Sequence, residues 1–167
     1  MYLKEVSKNN KGYYGIGASS CDYNEAFPKY LRITDIDDGG FVNKLTCSIN
    51  PSLYPDYKNY YLDKYDIVFA RTGNSTGRNY MYLGNSNNVV FAGFLIKFSI
   101  DSSKINPLYV KYFCQSNKYW NQIKELFTGS TRPNINEKTF ALIKIPEKTS
   151  AQQQHIVDIR RCYYNAI

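Results

Sequence analysis

The sequence is poor in the residues on which most enzymes rely. It has one histidine, His155, and one tryptophan, Trp120, in 167 residues. Its four cysteines, Cys21, Cys47, Cys114 and Cys162, are far apart and include no C-x-x-C pair. That spacing excludes the usual zinc patterns and offers no disulfide framework. No apolar run approaches the length that spans a bilayer, and no leader-like segment opens the chain, so a reducing cytoplasm and no membrane partner are expected. Phosphate-cradling glycine-Lys-Ser/Thr patterns are also missing, which leaves nucleotide hydrolysis without support.

Other catalytic readings fare no better. Asn50-Pro51 and Asn106-Pro107 echo the start of an amino-methyltransferase motif, but the second proline and the aromatic are out of register. No methyl-donor glycine loop accompanies them. Asp35, Asp37 and Asp38 resemble the start of a calcium loop, yet the fifth and twelfth positions hold Gly39 and Thr46 in place of oxygen and bidentate ligands. A hairpin turn accounts for them better. His155 has no partner evident in the sequence and reads as a solvated helical residue. Cys114 lies in an apolar helix and reads as core packing. The expectation is no catalytic residue, no metal and no cofactor on this chain.

Tyrosine and positive charge are abundant. There are 17 Tyr against 9 Phe, and the formal net charge is +7. The charge is uneven: residues 97–167 carry eleven Lys and Arg against five acids, whereas residues 1–96 are nearly balanced. A basic half favours an anionic partner, nucleic acid being the commonest.

The hydrophobic pattern predicts an α+β domain with a mixed, mostly antiparallel twisted sheet. Strands are expected around Tyr30–Ile36, Phe41–Cys47, Ile67–Ala70, Asn79–Leu83, Val89–Phe98 and Phe140–Ile145. Asn106 as cap and Pro107 at the first position open a packed helix expected to run to about Phe127 and to stop at Gly129. A last helix begins at Ser150, with Ser150 and Gln153 spaced as a capping box. Residues 1–149 are expected to form one domain, and 150–167 the start of a C-terminal helix, which the family resemblance given below implies to be a spacer or dimerisation helix.

Two polar loops carry the recognition chemistry. The first runs from Arg71 through Thr72, Gly73, Asn74, Ser75, Thr76 and Gly77 to Arg78. The second runs through Ser130, Thr131, Arg132, Pro133 and Asn134 to Asn136, with Lys138 beyond it. Glycine lets backbone N–H groups approach phosphate, hydroxyls and Arg bind phosphate oxygens, Arg pairs with guanine and Asn with adenine. Arg71, Thr72, Asn74, Ser75, Thr76, Arg78, Ser130, Thr131, Arg132, Asn134 and Lys138 are the candidate DNA contacts.

The order of segments resembles the target-recognition domain of Type I restriction–modification specificity subunits. The matching stretches are Tyr30-Leu-Arg-Ile-Thr-Asp-Ile36, Tyr65-Asp-Ile-Val-Phe-Ala-Arg-Thr-Gly73, Val90-Phe-Ala-Gly-Phe-Leu-Ile96, Asn106-Pro-Leu-Tyr109, Gly129-Ser-Thr-Arg-Pro-Asn-Ile135 and Ile143-Lys-Ile-Pro146. The resemblance implies a non-catalytic domain that reads one half of a split duplex DNA site. It implies modification subunits that bind S-adenosylmethionine and methylate adenine, and a restriction/translocase subunit that joins them. Complete relatives carry two recognition domains and two long helices, so a second recognition domain or a homodimer through the C-terminal helix is expected. A recognition domain of a Type IIG-like enzyme, and a self-contained DNA-modifying enzyme, are the alternatives.

Overall fold

The computed structural model describes residues 1–127 and 133–165. Within them the chain forms two four-stranded sheets and four helices. The strands are β1 (Tyr13–Tyr14), β2 (Cys21–Asp22), β3 (Lys29–Leu31), β4 (Cys47–Ser48), β5 (Asp66–Ala70), β6 (Asn79–Met81), β7 (Val89–Phe91) and β8 (Leu95–Ser99). The helices are α1 (Pro107–Phe113), α2 (Asn117–Glu125), α3 (Glu137–Phe140) and α4 (Ser150–Asn165).

The expected α+β class is observed, with its strands shared between two sheets. One sheet has the order β1-β8-β5-β6 and is antiparallel throughout. The other has the order β2-β4-β3-β7, with β3 and β7 parallel and the remaining pairs antiparallel. The apolar run 89–98 reads as one strand in sequence, but it breaks at Ala92-Gly93-Phe94. Its first half then joins one sheet and its second half the other.

Strand alternation explains why β5 is buried along its whole length. Ile67 and Phe69 face a core made with the helices, including Phe98, Tyr119, Ile123 and Phe140. Val68 and Ala70 face the second sheet and pack with Leu31, Phe91 and Leu95. Across that second sheet, Tyr30 and Val90 meet Tyr54, Tyr57, Tyr60 and Tyr61. These four tyrosines form an outer cover, where an apolar body and a polar tip suit a half-wet layer.

Five local expectations change. The strand expected over Tyr30–Ile36 is strand only at its start, in β3, and turns into a short 3-10 helix at Ile33–Asp35; the one expected over Phe41–Cys47 is strand only at its last residue, in β4. The helix expected over 107–127 is two helices, because Ser116 is extended and caps α2 by accepting a hydrogen bond from the Tyr119 N–H. Its expected stop, Gly129, lies outside the described residues. The strand expected over 140–145 gives way to α3, whose start is capped by the Asn136 side chain, and to a ladder with the first residues of the chain. In that ladder Leu3 N–H bonds the Ile143 carbonyl at 2.9 Å, and Ile145 N–H bonds the Met1 carbonyl at 2.8 Å. The box at the start of α4 is one residue early: Thr149 and Gln152 exchange the two reciprocal bonds. Gln153 is buried instead, accepting from the Asn106 N–H and donating to the Lys148 carbonyl, which ties α4 to the start of α1.

Between the sheets lies one buried ion pair, Asp66 with Lys97 at 3.3 Å, the side chains 2% and 13% exposed. Burial pushes the Asp66 carboxyl above its ordinary value, while Lys97, Ser99 and the Asp63 N–H pull it back.

Candidate functional site

The loop between β5 and β6 is fastened at its foot. Ala70 N–H bonds the Arg78 carbonyl at 2.8 Å, and Gly77 N–H bonds the Ala70 carbonyl at 2.8 Å. Gly77 has φ +93°, and a Cβ there would lie 2.8 Å from Ile123 and 2.9 Å from Trp120, so only glycine lets the loop sit this close to α2. The Tyr119 hydroxyl donates to the Gly77 carbonyl at 2.6 Å. Burial holds that phenol well above its usual range, which keeps it a donor. Asn79 bonds the Gly77 and Cys114 carbonyls from below.

The part of the second loop within the described residues is joined to the first. Thr72 and Asn134 form an antiparallel bridge, and Ile135 N–H bonds the Arg71 carbonyl at 2.9 Å. The Thr76 hydroxyl donates to the Gly73 carbonyl at 2.7 Å and lies 3.4 Å from the Pro133 carbonyl. Two segments some sixty residues apart in sequence therefore form one surface.

The candidate residues occupy different positions on it. Asn74, Asn134 and Lys138 are exposed, and Arg71, Thr72, Ser75 and Arg78 are half-buried. Thr76 is buried, with its hydroxyl engaged in joining the loops. Ser130, Thr131 and Arg132 lie outside the described residues. Arg78 donates from Nε to Asp38 at 2.7 Å and from a terminal nitrogen to the Ile36 carbonyl, so it braces the acidic glycine turn. Arg71 donates from Nε to the Gly93 carbonyl at 3.2 Å. Its guanidinium lies over the rings of Tyr14 and Phe94, at 5.2 and 5.7 Å.

Tyr14 and Phe94 were not among the residues the sequence singled out. Phe94 is 55% exposed although it sits inside an apolar run that reads as core. Gly93, which interrupts that run, is the signal that betrays the turn. Tyr14 is 44% exposed, and its hydroxyl accepts from the Glu137 N–H at 3.1 Å.

No group of three or more His, Cys, Asp or Glu side chains placed to hold a metal occurs among the described residues. No helix among them is long and apolar enough to cross a membrane. Two packed sheets and a helical layer thus carry a pair of joined polar loops, with Arg71 and Arg78 on the first and the exposed rings of Tyr14 and Phe94 beside Arg71.

A model of the Type I restriction modification DNA specificity domain matches residues 1–167, and the chain belongs to that family. Among solved structures it is similar to the HsdS subunit from Thermoanaerobacter tengcongensis, with 14% identity and a TM-score of 0.71. It matches equally well a chain from a study of complex assembly and conformational transition of the type I R-M system, again with 14% identity and a TM-score of 0.71. The Type-I restriction-modification system S subunit from M. genitalium has 15% identity and a TM-score of 0.65. Each likeness covers 99% of this chain but only 42%, 42% and 38% of the respective partners. The chain therefore spans about two fifths of the solved subunits whose fold it shares. No curated protein matches it in sequence.

Proposed function

We propose that this chain reads one half of a bipartite duplex DNA site as the specificity component of a Type I restriction–modification complex. It contributes recognition and no catalytic group. S-adenosylmethionine and the methyl transfer belong to the modification subunits, and a restriction/translocase subunit joins the assembly. The other half of the site is read by a second recognition domain or a second copy, met through α4. Ile159 and Tyr163 are exposed on α4 and give that helix an apolar surface for a partner.

The observation that carries this reading is the junction of the two polar loops. Thr72 meets Asn134, and Thr76 lies against Pro133, so the described parts of the two polar loops lie side by side, which supports a shared binding surface. Family membership and the basic half of the chain agree with it.

The test is selection from a randomised duplex library by the chain reconstituted with its modification subunits. An enriched sequence is expected, together with binding that weakens steeply with salt. Binding without preference for any duplex would refute the reading. Arg71→Ala is expected to weaken binding while leaving the domain folded.

A further inference from the structure

We infer that Tyr14, Arg71 and Phe94 form a grip for the sugar–phosphate backbone, so that Arg71 binds phosphate and base reading falls to the exposed loop tip at Asn74. This rests on the DNA-reading proposal above and assigns the two kinds of contact within it.

The posture of Arg71 is the first argument. Its main chain is fixed in both directions, the N–H to the Phe94 carbonyl at 3.0 Å and the carbonyl to the Ile135 N–H at 2.9 Å. Its side chain is folded back on its own surroundings, held by the Gly93 carbonyl and by rings at 5.2 and 5.7 Å. Base edges lie at the floor of a major groove about 8.5 Å deep, which calls for a side chain that extends. Phosphates stand on the outside of the duplex, within reach of a side chain that lies flat. Among the described residues neither terminal nitrogen of Arg71 has a hydrogen-bond partner, and a guanidinium with both amino groups open suits a phosphate.

The texture around Arg71 is the second argument. A DNA strand alternates an anionic phosphate with a deoxyribose that presents carbon. Phe94, 55% exposed and anchored on a tight turn closed by the Leu95 N–H to the Ala92 carbonyl, sets carbon surface beside the cation. Tyr14 closes the other flank and is itself pinned by Glu137. Cation and apolar ring side by side match phosphate and sugar side by side.

Asn74 contrasts with this in every respect. It follows Gly73, whose φ is +70° and whose would-be Cβ has nothing within 4 Å. It is exposed, and its amide has no partner among the described residues. An exposed amide in this loop is suited to pair with an adenine edge.

The experiment compares binding of an enriched duplex and a scrambled duplex by the reconstituted complex, over a range of salt. Arg71→Ala is expected to weaken both by a similar factor, about eightfold at 0.1 M salt, and to flatten the log–log slope by about 0.9. Arg71→Lys keeps the slope. Phe94→Ala weakens both duplexes alike with the slope unchanged. Asn74→Ala costs the enriched duplex between about fivefold and 150-fold and spares the scrambled one. If Arg71→Ala erases the preference without moving the slope, Arg71 reads a base and the inference falls. If Arg71→Ala and Phe94→Ala both leave binding unaltered, the grip does not exist. A parent complex with no preference at all overturns the DNA-reading proposal instead, and is thereby told apart from either result.

Discussion

At the scale of single residues, the two glycines of the first loop are present for different reasons. Gly73 needs a left-handed backbone but has open space around it, whereas Gly77 needs the same backbone and also faces α2. Gly73→Ala is therefore expected to cost only the left-handed penalty, about 1–2 kcal/mol. Gly77→Ala adds a collision with Ile123 and Trp120 and is expected to cost clearly more. Urea unfolding of the two variants checks the order, and equal losses would contradict the close approach. The cysteines provide a second contrast. Cys114 is buried and desolvation pushes its thiol far up, while Cys162 is exposed. Alkylation followed by mass spectrometry is expected to label Cys162 in the native protein and Cys114 only after unfolding.

At the scale of elements, the pair between β5 and β8 is asymmetric. Burial outweighs the help Asp66 receives, so its native carboxyl binds a proton more tightly than the unfolded chain does. Its contribution to stability is full below the ordinary value of 3.8 and is lost as the pH rises through the raised native value. Asp66→Asn, a neutral copy of the same shape, removes that pH dependence but leaves the Lys97 ammonium, 13% exposed, without its counter-charge, so it is expected to flatten the acid side of the stability profile and to cost stability at pH 7. Lys97→Met strands a carboxylate that is 2% exposed and is expected to cost about 3–5 kcal/mol at pH 7. Thermal unfolding across pH checks both, and an Asp66→Asn variant that keeps the parent's pH dependence on the acid side would contradict the sign.

The same scale shows how much of the molecule was legible in its sequence. Strands with strong local character, Asp66–Ala70 and Asn79–Met81, fall where alternation and turn chemistry place them. Asn106 and Pro107 open a helix as capping predicts. The sheet division was not legible, because a break at Gly93 inside an apolar run does not reveal that the two halves pair with different partners. The parallel contact of β3 with β7 is a tertiary choice, made between segments sixty residues apart. At the site, the loops stood out by composition, yet their junction through Thr72 and Asn134 is backbone geometry that composition does not encode. Thr76 shows this in one residue: a hydroxyl that fits a phosphate in sequence is engaged in fastening one loop to the other.

At the scale of the whole molecule, the beginning of the chain is core. Leu3 is fully buried and Val6 nearly so, both within the layer shared by the helices and the antiparallel sheet. Leu3→Ala is expected to cost about 2–5 kcal/mol, as an interior leucine does, and a urea midpoint unmoved by it would contradict the packing.

The bonds of Met1 and Leu3 to residues 143–145 also bear on how the protein is made. Residues 1–3 wait on the ribosome for partners made about 140 residues later. At about 5–20 residues per second that wait is on the order of 7–30 s, with an apolar segment uncovered throughout. Synthesis, more than sequence-local preference, sets the moment at which this domain closes.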